Sequence, residues 1–518
     1  MSNTLASKLK VSLNKLISLM VRQALHERNR QGSPERSRRT HHERNRHIAV
    51  RPEPVEGLIQ GCLNSTPTKY PMRRRLNNLI AVLLISAPSL LRAENLMDIY
   101  ERALQNDPIV KQAEAKQSAA GESRTQGLAR FFPTLAATGA SGREWRHNRI
   151  ASLNNLFPAN QEYWNHNFSV NLTQPLFHWE HWIQLSQSDN QIAQAEAAYQ
   201  AELQKLMVRT TEAYFNVLSA QDNLQFTLSE KQAIAKQLEQ AKARFEVGII
   251  PITDVYEAQA AFDQTAANEL EAANNLDNQK EALREIIGDS EVLVSSLGET
   301  LPLKKPEPDN MLKWGETAET NNLNIIAAFN QMEVAHKAID IQRSGHLPKL
   351  DLVGSYGVSE NGSAFGPRGD NQSIGVQLNV PLFEGGAVNS RTRQASFEYE
   401  AAKENLTAVK RSVKRQVNNT YRSIVTTIGK IEALKATVTS AASALEASEA
   451  GFEVGIRTMV DVLGEQRNVF RAKRDLSRAR YDYLINTIKL KQTTSDLTQI
   501  DLEQINGLLV TNLPDKKP

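Results

Sequence analysis

Side chains able to do covalent or metal chemistry are sparse in this 518-residue sequence. The single cysteine is Cys62, so from Glu94 onward no disulfide, CxxC motif or thiol nucleophile exists. No HExxH, P-loop, GxSxG or glycine-rich dinucleotide pattern occurs, and an enzyme reading would need one such cluster. His178 and His181 stand three apart at the start of a helical pattern, a spacing from which two imidazoles can reach one ion. Zinc sites use three or four protein ligands, and no third stands at a readable spacing. Interfacial histidines and aromatics beside Pro175-Leu176-Phe177 are therefore expected, with no metal and no cofactor. Asp254 and Asp461 each follow a glycine, Gly248 and Gly455, by six residues. By position alone each is a carboxylate near a helix N-terminus, where it gains ~0.3–1 kcal/mol.

The two aspartates belong to a duplication. Phe245-Glu246-Val247-Gly248-Ile249 recurs as Phe452-Glu453-Val454-Gly455-Ile456, and Thr253-Asp254-Val255 is answered by Val460-Asp461-Val462, an offset of 207 residues. Upstream, Gln174-Pro175-Leu176-Phe177 matches Val380-Pro381-Leu382-Phe383, and Phe132-Pro133-Thr134-Leu135 matches Leu347-Pro348-Lys349-Leu350. Four landmarks in one order define two units, residues 94–288 and 312–495, with a linker at 289–311 and a tail at 496–518.

Each unit opens with a helical stretch, Leu96 to Leu128 or Leu312 to Arg343, that ends before Pro133 or Pro348. Alternating runs follow. Trp164, His166, Phe168, Val170 and Leu172 share one face, with Tyr163, Asn165, Asn167, Ser169 and Asn171 on the other. Ile374, Val376, Leu378 and Val380 alternate with Ser373, Gly375, Gln377 and Asn379, as Leu350, Leu352, Tyr356 and Val358 do with Asp351, Ser355 and Ser359. Runs of about ten residues with one apolar side fit outer-membrane barrel strands. A soluble antiparallel sheet has the same period; export and the aromatics Trp145, Tyr163 and Trp164 near strand ends favour the membrane. The segments from Asn148 to Gln161 and from Glu360 to Asp370 are expected to be external loops. Two strand pairs cannot close a barrel, which needs about eight strands, so several copies must share one, and three would supply twelve.

Very long helical patterns come next, His178 to Glu246 and Gly386 to Glu453, almost free of Gly and Pro. At ~1.5 Å per residue they reach roughly 100 Å. Turns at Val247 to Ile252 and Val454 to Thr458 return the chain along helices Asp254 to Ile287 and Met459 to Thr494, an arrangement suited to antiparallel coiled-coil packing.

The amino-terminal region reads differently. Met72-Arg73-Arg74-Arg75, an apolar run from Leu79 to Leu91 and Arg92-Ala93 make residues 72–93 a signal peptide, because the run is shorter than the ~20 residues that span a bilayer. Residues 1–71, with His-Glu-Arg-Asn-Arg at both 26–30 and 42–46, bury no core and are expected to be a non-native or disordered extension. The competing reading is a basic arm for nucleic acid or membrane. The first 93 residues hold 17 Lys or Arg against 5 Asp or Glu, leaving 44 basic and 53 acidic side chains beyond them. That balance removes the case for a nucleic-acid partner.

Over residues 94–495 the chain resembles the TolC family of outer-membrane efflux and type I secretion channels. The likeness is carried by Phe245 to Gly288, including Ile252-Thr253-Asp254-Val255 and Asn274-Asn275-Leu276-Asp277-Asn278, and by Val460-Asp461-Val462-Leu463 and Arg480-Tyr481-Asp482-Tyr483-Leu484-Ile485-Asn486. The resemblance implies an α+β membrane protein: a homotrimer with a 12-stranded outer-membrane β-barrel continuing into a periplasmic α-helical barrel. It further implies a periplasmic adaptor (membrane fusion) protein and an inner-membrane transporter of ABC or RND type as partners. Asp461 matches the family's acidic pore constriction. The second acidic position falls at Gly464, with Glu465 adjacent as a substitute, so a weaker ring is expected. Arg457 matches the arginine of the closed-state latch, and Thr253 and Asp254 its Thr-Asp pair. A tyrosine of that latch is replaced by Phe452. The tips Val247, Gly248, Ile249, Val454, Gly455 and Ile456 match the adaptor-docking turns. The competing reading is a soluble periplasmic coiled-coil adaptor or structural protein.

Overall fold

The computed structural model describes residues 94–147, 160–288, 293–362 and 366–510. The expected extension 1–71, the signal peptide 72–93, most of the first external loop, the middle of the second and the end of the tail lie outside the described residues.

Each expected opening helix is two helices. Helices α1 (Leu96–Asn106) and α2 (Pro108–Ala129) meet at Asp107, which ends the first and caps the second by accepting from the Val110 N–H. Pro108 suits the first helical position because its missing N–H has no partner there anyway. Helices α5 (Met311–Asn321) and α6 (Leu323–Arg343) meet likewise at Asn322, whose side chain accepts from the Asn324 and Ile325 N–H groups. These caps are what the helical spacing alone did not separate.

Strands β1 (Thr134–His147) and β2 (Asn160–Phe177) form a hairpin. After helices α3 (Trp179–Glu246) and α4 (Ile252–Ile287) the chain passes through a two-residue strand β3 (Ser296–Leu297) to α5 and α6. Strands β4 (Lys349–Asn361) and β5 (Arg368–Asn379) then precede α7 (Ala387–Glu453) and α8 (Met459–Thr493). The strands run further than their apolar alternation: Gln161, Glu360 and Arg368 to Asp370 are paired, because ladder bonding continues where side chains no longer need to be apolar. In the tail, α9 (Gln499–Asn506) leads to β6 (Leu509–Val510), which pairs with β3, so linker and tail meet.

One four-stranded antiparallel sheet has the order β1-β2-β4-β5. Its register aligns the alternation of all four strands. Leu135, Leu172, Gly354 and Ile374 share one face, as do Ala137, Val170 and Tyr356. On the opposite face Thr138 pairs Ser169 and Ser355 pairs Ser373, with hydroxyl contacts of 2.7 Å in both, and the Ser359 hydroxyl donates to Asn167 at 2.7 Å. The polar face thus bonds to itself across strands, while Ile374, Val376 and Leu378 stand 62–71% exposed on the apolar one. Among the described residues, strands β1 and β5 have no neighbour on their outer edges.

The sheet order continues into the helices. Strand β1 follows α2, β2 leads into α3, β4 follows α6 and β5 leads into α7, and the helices pack as α2, α3, α6, α7. Beyond α2 and α6 their places are taken by the return helices: α4 packs on α3, α8 lies between α3 and α7. Buried positions recur every seven residues: Leu206, Ala213, Ala220, Thr227, Ile234 and Ala241 in α3, and Val417, Ile424 and Ile431 in α7. A seven-residue repeat keeps one seam facing a neighbour as helices coil with a left-handed sense. Midway, Tyr214, Phe215, Ile287, Tyr481 and Leu502 join one core, and the Tyr214 hydroxyl donates to the Ser295 carbonyl at 2.8 Å. Among the described residues no helix is long and apolar enough to cross a membrane.

Candidate functional site

The residues singled out by the sequence gather at the hairpin ends farthest along the long helices from the sheet. Gly248 and Gly455 both adopt φ +77°, and each turn closes the same way: Ile249 N–H donates to the Arg244 carbonyl at 2.9 Å and Ile456 N–H to the Gly451 carbonyl at 2.8 Å. This is the glycine-terminated helix end whose left-handed residue carries no Cβ penalty. Val247, Ile249, Val454 and Ile456 project at 69–81% exposure. Behind them Ile234, Leu238, Val255, Ala258, Met459 and Leu463 form a buried cluster that packs the two hairpins together. Two rigid apolar tips are therefore presented side by side.

Asp254 and Asp461 occupy the same place in their repeats, three residues after the cap of α4 and α8, yet their surroundings differ. The cap of α8 is Thr458. Its N–H and hydroxyl both donate to Asp461 Oδ2, at 2.9 and 2.8 Å, and the Asp461 N–H returns a bond to the Thr458 hydroxyl at 3.3 Å. This reciprocal box holds the Asp461 carboxyl below the usual aspartate range, first through the Thr458 N–H, then its hydroxyl, with Arg457 adding charge. The cap of α4 is Pro251, which offers no side-chain bond, and among the described residues the Asp254 carboxylate accepts from the Thr253 hydroxyl alone, at 3.4 Å. Position near a helix N-terminus is thus the immediate role of Asp461. The signal was legible as Thr458-x-x-Asp461, a capping-box spacing.

Glu465 lies one turn beyond Asp461 on the same face and accepts from the Asn468 amide at 3.2 Å. At Gly464 a Cβ would meet nothing within 4 Å. The expected latch partners are not joined within one chain: among the described residues Arg457 makes no ion pair with Asp254, and it is exposed. Phe452 is held by the Arg244 guanidinium, 5.2 Å from its ring centroid.

Higher along the wall, pairs that sequence reasoning missed tie α3 to its neighbours. Arg474 of α8 reaches the buried Glu230 of α3 at 2.9 Å, Lys231 reaches Glu269 of α4 at 2.5 Å, and Asp222 accepts from the hydroxyls of Ser477 and, at 2.7 Å, Tyr481. Partners so distant in sequence carry no local spacing. Among the described residues the arrangement builds a helical wall and a bundle end that carries carboxylates and two exposed apolar tips.

The Outer membrane efflux protein family model matches residues 99–289 and 314–495. The outer membrane protein TolC of Vibrio cholerae is 38% identical over 443 residues, 84% of this chain and 98% of that one. The alkaline protease secretion protein AprF of Pseudomonas aeruginosa is 29% identical over 85% of this chain and 92% of its own. Among solved structures, the Campylobacter jejuni CmeC outer membrane channel superimposes with a TM-score of 0.67 at 16% identity, covering 80% of this chain and 90% of that one. The outer membrane protein VceC of Vibrio cholerae gives 0.64 at 19% identity, with 77% and 95% covered.

Proposed function

The chain belongs to the outer membrane efflux protein family, and from that premise we propose how its parts work as the exit duct of an efflux or secretion system. The protein is an outer-membrane exit duct of α+β fold, in a family made up of transport channels. Three copies form the working unit, each giving four strands to a 12-stranded barrel and its helix layer to a tunnel that stands in the periplasm. The observation that carries this is the open sheet: among the described residues two unpaired edges, an exposed apolar face and a polar face hydrogen-bonded across strands. Unpaired edges in hydrocarbon cost several kcal/mol per orphaned group, so pairing β5 of one copy with β1 of the next is the stable solution.

The repeat units are placed at 94–288 and 312–495. Asp461 and Glu465 form the acidic constriction, with one face of Asp461 spent on its cap and the other turned to the pore. Arg457 latches Thr253 and Asp254 of a neighbouring copy, since it makes no ion pair with Asp254 among the described residues of one chain. The exposed tips at 247–249 and 454–456 receive an adaptor, itself bound to an inner-membrane transporter of ABC or RND type, in whose gift the choice of cargo lies. Fractionation tests the reading: a heat-sensitive trimer band in outer-membrane fractions is the expected result, and recovery of a soluble monomer overturns it.

A further inference from the structure

The start of α3 carries a feature that duct function does not use. His178 is the extended residue that caps the helix, with φ −136° and ψ 103°, and Glu180 and His181 occupy its first turn. The extended cap swings His178 back over that turn, so residues two apart, which would diverge on a helix, converge. The His178 and His181 rings stack with centroids 4.7 Å apart, and the edge of Phe131 walls His181 at 5.8 Å. His178, Glu180 and His181 each offer a donor atom within 4.8 Å of the others.

The fourth participant comes from the other repeat. His178 Nε2 lies 2.9 Å from Asp351 Oδ1 of β4. An ionised carboxylate only accepts, so Nε2 carries the proton donated to Asp351, and in a metal-binding ring Nδ1 supplies the lone pair. That lone pair stands 3.5 Å from Glu180 Oε1. Two ligands on a tetrahedral ion with bonds of 2.0–2.1 Å are separated by about 3.4 Å, so these two atoms already span one edge of a zinc site. The carboxylate behind the ligating imidazole is the usual way such a ligand is oriented. Closing His181 onto the same ion requires a movement of roughly 1 Å toward a tetrahedral edge.

We propose that His178, Glu180 and His181, oriented by Asp351, form a binding site for a zinc-like divalent cation where the sheet passes into the helices. Imidazole and carboxylate together suit zinc, nickel and copper rather than calcium or magnesium. Lys349 is the competitor: its ammonium bonds the same Glu180 oxygen, Oε1, and must give way to the ion. His178 and Glu180 have side chains only 14% exposed, enough for an ion to enter and little enough for it to be held. An occupied site ties α3 to β4 through Asp351 and so joins the two repeats at the neck.

Titrating the full purified chain with zinc chloride alone, by calorimetry and by thermal unfolding, tests this. One zinc per chain is expected, with the unfolding midpoint rising as zinc is added. His178→Ala and His181→Gln should each weaken binding at least tenfold, and Asp351→Asn by 10- to 100-fold, as loss of an orienting partner does. Lys349→Met should tighten it, an outcome that no folding defect produces. X-ray absorption should report two imidazole ligands. Undiminished zinc binding in the His178→Ala, His181→Gln double variant overturns the site, as does a chain that keeps its heat-sensitive trimer but binds no zinc.

Discussion

Thr458 and Pro251 stand at equivalent points of the two repeats, and that one difference decides what two identical aspartates do. Asp461 is drawn into its helix cap, whereas Asp254 has no cap side chain to bond and stays open to the neighbouring copy proposed above. Because the cap depresses the Asp461 carboxyl, its contribution is complete above the ordinary aspartate range and is lost as pH falls through the lower folded value. Amide exchange at the start of α8 should therefore stay slow through pH 4 and accelerate only in stronger acid, whereas Asp461→Asn should be fast at all pH values. Gly464→Asp should fit without displacing anything and raise single-channel cation selectivity, since it adds a carboxylate one turn from Asp461 and beside Glu465. Arg457→Ala should increase conductance; an unchanged value removes Arg457 from the latch. Sequence placed all of these residues at the tips through the repeat and began this helix at Met459, so the Thr458-x-x-Asp461 cap was legible in the spacing although Asp461 was read only as a charge near a helix N-terminus.

Among elements, the long helices were the most legible, since a pattern of some 68 residues without proline leaves few alternatives. Strand β1 was the least, because its side chains are mostly small: Ala136, Ala137, Gly139 and Ala140 give almost no alternation, and only pairing with β2 declares their faces. The breaks at Asp107 and Asn322 hid inside continuous helical spacing, although both residues are good caps. Two changes separate turn from wall. Gly455→Ala forces a Cβ into a left-handed residue and should cost about 1 kcal/mol, read as a lowered unfolding midpoint. Arg474→Ala strips the partner from the buried Glu230 and should cost about 3 kcal/mol, with the joint α3–α8 losing exchange protection first.

For the whole molecule, the unmet surfaces lie on the two flanks. Phe397 of α7 and Leu270 of α4 are each 74% exposed, and they belong to the outermost helices of the layer. Both would be covered by neighbouring copies in a closed ring. A lysine at Ile374, on the apolar face of β5, should destabilise the barrel by about 2–4 kcal/mol if it falls at mid-bilayer, seen as earlier melting of the trimer band. The heptad seam sets a further rule on how such a wall can vary. α3 and α7 have 68 and 67 residues, α4 and α8 have 36 and 35, so the second hairpin is one residue shorter on both arms. Seven residues, about 10.5 Å, inserted together in both arms of both hairpins lengthen the helix layer while keeping its buried seam on the same neighbour. A single residue added to one arm alone turns that seam toward water.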